Sequence, residues 1–263
     1  MDLELEGKVV LVLAASKGLG RAAALQFAEE GAHVMISSRN EDDLARTQQE
    51  IIKQTNNENI AYAACDITKP EDITRLVDAA VSKFGPIDVL VNNAGGPPAG
   101  GFESFTDEQW EQAFQLNLLS FIRAIRAVLP SMKEKQRGHI INFASSSIKQ
   151  SIDNLILSNT FRAGIVGLSK SLSQELASDN ILINTIGPGR IATDRVDELD
   201  GIKAEKANTS VENIKKQAES SIPLGRYGEP EEFAKQAVFL CSGANTYVTG
   251  QSFVVDGGMV KAL

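Results

Sequence analysis

The feature that most constrains the fold is a repeated alternation of short apolar runs with longer stretches of helical periodicity. Each run is nearly continuous in Val, Ile, Leu and Ala, which predicts a strand buried on both faces. The runs are KVVLVLA, HVMISS, NIAYAAC, IDVLV, HIINFA, ILINTI and QSFVV. Helices are predicted between them from about Gly18 to Glu30, over residues 41–54, after Pro70, from about Asp107 to Lys135, over residues 157–176 and from Pro230. This order predicts an α/β fold, a doubly wound parallel sheet flanked by helices on both faces.

The chain contains no linker rich in Pro, Gly or Ser, no internal repeat and no low-complexity tract, so residues 1–263 are predicted to form a single domain. Two stretches interrupt the alternation. They are GGPPAGGF at residues 95–102, whose glycines and prolines rule out regular structure, and the charged, weakly periodic residues 193–222. Both follow predicted strands, and ligands of such sheets bind beyond the carboxyl ends of the strands. We therefore predict that both line a substrate pocket, the second as a lid.

Composition and charge narrow the possible partners. A formal net charge of −8 without clustered Lys or Arg argues against nucleic acid and favours a small-molecule substrate. Cys65 and Cys241 lie in separate apolar segments and are predicted to be buried reduced thiols, and His33 and His139 are the only histidines, so no metal site is expected. The apolar runs are too short to span a bilayer, and the N-terminus MDLELEGK is acidic, so a cytoplasmic protein is predicted.

The first predicted strand runs directly into AASKGLGRAAALQFAEEGA, a glycine turn followed by a helix. Gly18 and Gly20 permit a tight turn and close backbone approach, and the first N–H groups of a helix attract phosphate. A Gly-x-Gly alone is also consistent with an ordinary turn. Its place between the first strand and the first helix favours dinucleotide binding by a Rossmann-type sheet.

The end of the second predicted strand, HVMISSRN, bears on the choice of dinucleotide. An acid there would bind the ribose 2′-hydroxyl of NAD, whereas an arginine accommodates the 2′-phosphate of NADP. Ser37 and Ser38 replace the acid, and Arg39 follows them. Lys17 in the glycine turn adds a second cation for the same phosphate, although both cations are alternatively read as solvated surface charges. The pattern favours NADP(H) over NAD(H).

Motifs along nearly the whole chain resemble the short-chain dehydrogenase/reductase family, in particular its 3-oxoacyl-(acyl-carrier-protein) reductase and glucose-dehydrogenase-like members. The matching segments, in order, are ASKGLG, CDIT, NNAG, LNLLS, INFASSS, GLSKSLSQELA, INTIGPGRIAT, PLGRYGEPEE and TGQSFVVDGG. The resemblance implies an oxidoreductase that acts on a carbonyl or alcohol substrate. It also implies a homotetramer, whose long helices, the stretch ending near Lys135 and residues 157–176, pair between subunits.

The resemblance also implies roles for individual residues. The turn around the phosphates comprises Ala14, Ser16, Lys17, Gly18, Leu19 and Gly20, with Ser38 and Arg39 at the adenosine ribose. Adenine is contacted by Asp66 and Ile67, the cofactor ribose is lined by Asn92, Ala94 and Gly95, and the nicotinamide is held by Pro188, Gly189, Ile191 and Thr193. Plainer alternatives are a turn capped by Asp66 and a simple loop at NNAG.

Two departures from the family pattern affect the predicted site. The first turn of the family begins Thr-Gly, and here Leu13 and Ala14 stand instead; an alanine fits if it keeps an ordinary φ. The family carries Tyr-x-x-x-Lys at the start of the helix over residues 157–176, with the tyrosine as proton donor. These two positions are Ser158 and Arg162 here, whereas the other two members of the catalytic tetrad, Asn117 and Ser145, are retained.

The substitutions leave two hypotheses for function. A serine hydroxyl is a weaker acid than a phenol, and a guanidinium stays protonated, so Arg162 retains charge and ribose binding but relays protons poorly. Losing a positioned acid costs about 10²–10⁴-fold in rate, which leaves a remodelled NADP(H)-dependent oxidoreductase active. Lys149 is a candidate substitute donor, or simply an exposed loop lysine. The alternative is a non-catalytic NADP(H) sensor or regulatory subunit; the sequence favours the enzyme and leaves its substrate open.

Overall fold

A computed structural model describes residues 1–262 and contains one sheet of seven parallel strands in the order β3-β2-β1-β4-β5-β6-β7. The strands are β1 (Val9–Val12), β2 (His33–Ser38), β3 (Ile60–Ala64), β4 (Val89–Asn92), β5 (Gly138–Phe143), β6 (Ile181–Pro188) and β7 (Ser252–Val255). Each overlaps an apolar run that predicted a strand, although β5 begins one residue before its run and β6 extends two residues beyond its run. The predicted doubly wound Rossmann-type fold is confirmed.

Helices cover both faces of this sheet. They are α1 (Gly18–Glu29), α2 (Glu41–Thr55), α3 (Pro70–Phe84), α4 (Asp107–Phe114), α5 (Ser120–Glu134), α6 (Ile156–Glu175), α7 (Asp194–Ala207), α8 (Val211–Ser220) and α9 (Pro230–Leu240). Helices α1, α2 and α9 pack on one face, where Val10 and Val12 of β1 point, and α3, α5 and α6 pack on the other, with Val9 and Leu11. Both faces of β1 are therefore buried, which is why its sequence does not alternate.

Asn117 interrupts what the sequence predicted as one helix from about Asp107 to Lys135. Between α4 and α5 the chain forms a π-helical turn over Gln115–Leu119. Within it the Asn117 amide donates to the carbonyl of Ala113 and the hydroxyl of Ser120 donates to the carbonyl of Leu116. Polar side chains that bond back to the preceding turn loosen helical geometry, and π turns are common at functional sites.

The two stretches predicted to be irregular differ from each other. Residues 95–102 are largely without regular structure, apart from a bridge between Gly100 and Leu155 and a 3₁₀ turn that begins at Phe102. Residues 193–222, in contrast, form α7 and α8. Helix α7 has weak hydrophobic periodicity because the residues that it buries are Asp200 and Ala204. A charged side chain is normally expected at the surface, so the sequence pattern does not show that Asp200 faces inward.

The sequence analysis expected Ala14 to fit the turn with an ordinary, negative φ. This expectation was wrong, because Ala14 has φ +48° and lies in the left-handed region. An L-residue there carries about 1–2 kcal/mol of strain that glycine avoids. We expect Ala14→Gly to raise the free energy of unfolding by about 0.5–1 kcal/mol, net of the greater chain entropy of glycine when unfolded.

Urea denaturation with an unchanged m-value measures this gain. Ala15 is buried and its φ is not positive, so Ala15→Gly is the matched control and should lose about 1 kcal/mol. A loss of stability in both variants would contradict the strain at Ala14.

Both cysteines are buried and free, in agreement with the sequence prediction. Burial raises the pKa of the Cys65 thiol to about 12 and also raises that of Cys241. Both thiols therefore stay protonated and unreactive at neutral pH.

Candidate active site

The sheet order places a crevice between the carboxyl ends of β1 and β4. From β1 the chain proceeds to β2 on one side, and from β4 it proceeds to β5 on the other, so the connecting loops diverge at this point. Open α/β sheets bind their ligands at such a switch point. The predicted phosphate turn follows β1, and the NNAG segment follows β4.

The glycine turn is tightly packed against the start of α1. Gly18 has φ +57°, and a Cβ on Gly20 would lie 2.5 Å from the Ala14 carbonyl oxygen and 2.7 Å from Nδ2 of Asn93. Asn93 itself donates from Nδ2 to that carbonyl at 3.0 Å. Helix α1 has neither a side-chain cap nor an acidic residue in its first turn, so its leading N–H groups fit a phosphate.

The end of β2 presents Arg39, not the serines, to solvent. Ser37 is buried, with its hydroxyl on the carbonyl of Val12, and Ser38 donates to the carbonyl of Asn40. Burial raises the pKa of Asp66, but hydrogen bonds from Thr68 outweigh it, and with help from the charge of Arg39 the net pKa is lowered. Arg39 thus lies near the residue predicted to contact adenine, with no carboxylate in ion-pairing contact among residues 1–262.

A buried chain of polar groups fixes α6 against the sheet. Asn92 Nδ2 donates to Oδ1 of Asn142 at 2.8 Å, and Asn142 Nδ2 donates to Oγ of Ser169 at 2.9 Å. The Ser169 hydroxyl also lies 2.8 Å from that of Thr185. The chain connects β4, β5, α6 and β6, so it sets the position of α6 relative to the strand ends. The sequence did not indicate this chain, because a serine within a helix is not by itself a sign of burial.

Ser145 is the N-cap of the 3₁₀ turn Ser146–Ile148, directly beyond β5. Its Oγ accepts from the backbone N–H of Ser147 at 3.1 Å, so its own O–H remains free to donate. A Cβ on Gly187 would lie 2.4 Å from the Ser145 carbonyl oxygen, so the neighbouring strand β6 approaches this turn as closely as backbone permits. Ser145 is therefore rigidly held, with a hydroxyl proton that is available to a ligand.

Ser158 and Arg162 lie one turn apart near the start of α6, and both are buried, with exposed fractions of 8% and 4%. Both side chains therefore face the interior of the protein. Arg162 Nη1 donates to the carbonyl of Phe143 at 2.7 Å, and the guanidinium lies 5.9 Å from the ring centre of Phe121. Burial lowers the pKa of Arg162 to about 10, so the group stays charged at neutral pH.

Four buried side-chain atoms within residues 1–262 lack a hydrogen-bond partner. They are Oδ1 of Asn92, Oδ1 of Asn117, Oγ of Ser147 and Nε of Arg162. Asn92 ends β4, and Ser147 lies in the 3₁₀ turn after β5. Asn117 lies in the π turn, and Arg162 lies on α6, which packs against both turns. Buried polar groups are normally paired, so a group of orphans in one region fits a polar ligand. These residues therefore fit the nicotinamide end of a dinucleotide.

The segment after β6 forms the opposite wall. Gly189 donates from its backbone to Val255, and a Cβ there would lie 2.5 Å from Cβ of Asp256. Ile191 is buried and bridges to Gly228, and Thr193 is the N-cap of α7. A Cβ on Gly18 would lie 3.8 Å from Thr193, so this wall faces the glycine turn. The remaining predicted cofactor residues, Ser16, Leu19, Ile67, Ala94, Gly95 and Pro188, lie on segments directly beyond strands β1, β3, β4 and β6 or at their ends.

Helix α7 is tied down at three points that the sequence did not reveal. Arg195 donates to the carbonyl of Pro97 at 2.7 Å and so joins α7 to residues 95–102. Asp200 is 2% exposed and accepts from Arg190 and from the hydroxyl of Tyr227. An exposed ion pair joins Lys17 to Asp194 at 3.3 Å. The segment PLGRYGEPEE, which contains Tyr227, was the only signal of the second contact.

None of the three tyrosines, all within the described residues, supplies the missing phenol. Tyr62 lies on β3, Tyr247 is almost fully exposed, and burial together with the bond to Asp200 raises the pKa of Tyr227, which makes it a poor acid. Lys149 is exposed, which agrees with the prediction of an exposed loop lysine and not with that of a substitute proton donor. Among the side chains that the structure describes at this site, hydroxyl groups are therefore the candidate proton donors.

A family model described as enoyl-(acyl carrier protein) reductase matches residues 13–260. The chain is 35% identical over 263 residues to a 3-oxoacyl-(acyl-carrier-protein) reductase of Thermotoga maritima, covering 98% of this chain and 100% of the relative. It is also 35% identical over 260 residues to dehydrogenase/reductase SDR family member 4 of Sus scrofa, covering 98% and 89%. The chain belongs to the short-chain dehydrogenase/reductase family. Its predicted identity as an oxidoreductase of this family is confirmed.

Solved structures of the short-chain dehydrogenase/reductase fold superpose over the whole chain. L-sorbose reductase from Gluconobacter frateurii, in complex with NADPH and L-sorbose, has a TM-score of 0.94 at 32% identity and covers 100% of both chains. Actinorhodin polyketide ketoreductase with NADPH has a TM-score of 0.92 at 32% identity, covering 96% of this chain and 97% of that one. In this protein no helix of residues 1–262 has the length and apolar character that crossing a bilayer requires.

Proposed function

We propose that this protein is an NADP(H)-dependent oxidoreductase that interconverts a carbonyl and an alcohol in an active site without a phenolic proton donor. The observation that carries the proposal is the group of unpartnered buried polar atoms on Asn92, Asn117, Ser147 and Arg162, together with a Ser145 hydroxyl that is free to donate. A protein that only sensed the nucleotide would have no chemical need of Ser145. Related solved structures with NADPH support the choice of cofactor.

A reduced nicotinamide supplies a hydride when it is bound. Asn92, Ala94 and Gly95 on one side, and Pro188, Gly189, Ile191 and Thr193 on the other, would hold it. Ser145 donates a hydrogen bond to the substrate oxygen, and the Arg162 charge stabilises negative charge that develops there. Ser158 is a weak acid, so the proton comes from water that reaches the oxygen through these hydroxyls.

Turnover is tested by following NADPH oxidation against ketones, quinones, 2-oxo acids and 3-oxoacyl thioesters, together with NADPH binding by fluorescence. We expect oxidation with at least one class. Tight NADPH binding without turnover on any class would overturn the proposal in favour of a sensor or regulatory subunit of the same fold.

The preference for NADP(H) is assigned to Arg39, with Lys17 in support. We expect Arg39→Ala to weaken NADPH binding by about 10- to 100-fold, because a charge-assisted contact to the 2′-phosphate is lost, and to leave NADH binding unchanged. Titration with both coenzymes measures the difference.

A matched control is Arg46→Ala. Arg46 is an exposed arginine of α2 that pairs with Asp43 and should affect neither coenzyme. Lys17→Ala should have the smaller effect of the two cofactor variants, since Asp194 already neutralises that side chain. Equal binding of both coenzymes by the unmodified protein would refute the preference.

We further propose a cytoplasmic homotetramer with helix pairing between subunits. In support, the outer side of α4 and α6 carries aromatic rings, with Trp110 5.8 Å from Phe161 and 6.3 Å from Phe102. Phe102 is 73% exposed, which is unusual for a large apolar side chain and suits a covered surface. Light scattering coupled to gel filtration measures the oligomeric state, and we expect the mass of four chains.

A further inference from the structure

A cavity of about 190 Å³ lies at the edge of the sheet opposite the cofactor crevice. It is formed where β1, β4, β5 and β6 begin, because the residues at the start of these strands line it, and these four strands are neighbours in the sheet. The N-terminal segment and the loop between α9 and β7 close its sides. The charged or titratable residues of the lining are Glu4, Lys8, Asp88, Arg137, His139 and Cys241.

Two cations of this cavity have no carboxylate committed to them. Asp88 is buried, and its oxygens accept from the backbone N–H of Val9 at 2.9 Å and from the ammonium of Lys135. The guanidinium of Arg137 comes only within 4.0 Å of Asp88, and Lys8 forms no ion pair within residues 1–262. The donors of Arg137 and Lys8 are therefore available to a ligand.

His139 adds a titratable ring to the same cavity. Its Nε2 lies 3.3 Å from the carbonyl oxygen of Asn245, which can only accept, so Nε2 carries the hydrogen of the neutral ring and Nδ1 has no partner within residues 1–262. Burial lowers the pKa of His139 and outweighs this hydrogen bond, so the ring is neutral at neutral pH. An anion in the cavity favours the protonated ring, which has a second N–H to donate.

Part of the lining is apolar and comes from Leu5, Val89 and Leu182. A strongly hydrated inorganic anion leaves such a surface uncovered, whereas an organic acid can place its carboxylate at the cations and its apolar part against these side chains. The volume is below the range of about 300–1,000 Å³ that drug-sized ligands occupy. The cavity therefore suits a small organic acid.

We propose that this cavity is a second ligand site, which binds a small organic acid with its carboxylate at Lys8 and Arg137 and its apolar part against Leu5, Val89 and Leu182. The site does not depend on the proposed function, because the cofactor crevice lies at the opposite ends of the same strands.

Glu4 supplies a charge of the opposite sign for the test. This carboxylate is exposed, and a Cβ on Gly243 would lie 2.5 Å from its Oε2, so it is packed against the loop that closes the cavity. A negative charge at this position repels a bound anion.

The probes are benzoate and its neutral isostere benzamide, titrated calorimetrically into the whole protein. We expect benzoate to bind at least about 5-fold more tightly than benzamide. Arg137→Gln should weaken benzoate binding by about 3- to 10-fold, because it removes a charge-assisted contact that is partly open to solvent. Glu4→Gln should strengthen benzoate binding by about 2- to 3-fold.

Lowering the pH from about 7.5 to about 5.5 should strengthen benzoate binding, with uptake of a proton, because the anion favours the protonated ring of His139. The other charged or titratable groups that line the cavity with this ring are Glu4, Lys8, Asp88, Arg137 and Cys241. His139→Gln keeps a donor for the Asn245 carbonyl but cannot titrate, so this variant should lose the pH dependence.

Arg126→Gln is the matched control, because Arg126 is an exposed arginine of α5 that does not line the cavity. It should leave benzoate binding unchanged. Equal affinity of the unmodified protein for benzoate and benzamide would overturn the inference even if no variant folds. So would equal effects of Arg137→Gln and Arg126→Gln in variants that circular dichroism shows to be folded, since the cavity would then play no part. Inorganic phosphate that binds as tightly as benzoate would overturn the assignment to an organic acid.

Discussion

The double variant Ser158→Tyr, Arg162→Lys should reduce neutral ketones about 10²–10⁴-fold faster than the unmodified protein. The change restores a phenol whose pKa is lowered by an adjacent ammonium, and such a group is a far better proton donor at neutral pH than an aliphatic hydroxyl. Ser158 and Arg162 are both buried on the inward face of α6, so the new side chains would start from positions that face the site. Steady-state NADPH oxidation with a panel of ketones measures the gain.

The matched control for this variant is Ser158→Phe, Arg162→Lys, which adds the same ring without its hydroxyl. It should show no comparable gain, because only the hydroxyl can donate a proton. A gain of the same size in the phenylalanine variant would indicate that filling space, not acid catalysis, limits the rate. If the tyrosine variant folds, binds NADPH and is no faster than the unmodified protein, the assignment of residues 158 and 162 to the catalytic positions is wrong.

The sheet was predictable from the sequence because a strand that is buried on both faces has apolar residues at successive positions. Val9 and Leu11 pack on one face and Val10 and Val12 on the other, so β1 reads as an unbroken apolar run. The predicted phosphate turn was equally visible, since glycine is required where backbone approaches backbone, as at Gly20. Local pattern therefore gave the fold and the place of the cleft.

The details of the site depend on tertiary contacts, which have no comparable pattern in the sequence. The left-handed φ of Ala14 is imposed by a turn that glycine usually occupies, and nothing in the residue type indicates it. The unpaired state of Arg162 follows from the absence of an acidic neighbour in space, which a linear pattern cannot show. Helices α7 and α8 escaped prediction because α7 buries Asp200, and charged residues are ordinarily expected at the surface.

Asp200 is expected to make the most important single contact that holds α7 in place. Asp200→Asn should lower the free energy of unfolding by about 3 kcal/mol, because it leaves the charge of Arg190 beside a neutral amide in a largely buried position. For a chain of this size the loss corresponds to a fall in Tm of about 6–12 °C. Scanning calorimetry of the NADPH-free protein measures it.

Two further variants show which part of the Asp200 contact matters. Tyr227→Phe removes only the hydroxyl bond to Asp200 and should cost about 1 kcal/mol. Asp194→Asn, on the same helix, breaks a fully solvated pair with Lys17 and should cost less than about 0.5 kcal/mol. Equal losses of unfolding free energy in the Asp194 and Asp200 variants would show that the net charge of α7, and not one buried contact, stabilises its position. A loss confined to Asp200 and Tyr227 would show that one buried carboxylate anchors α7 to the segment that follows β6 and to Tyr227.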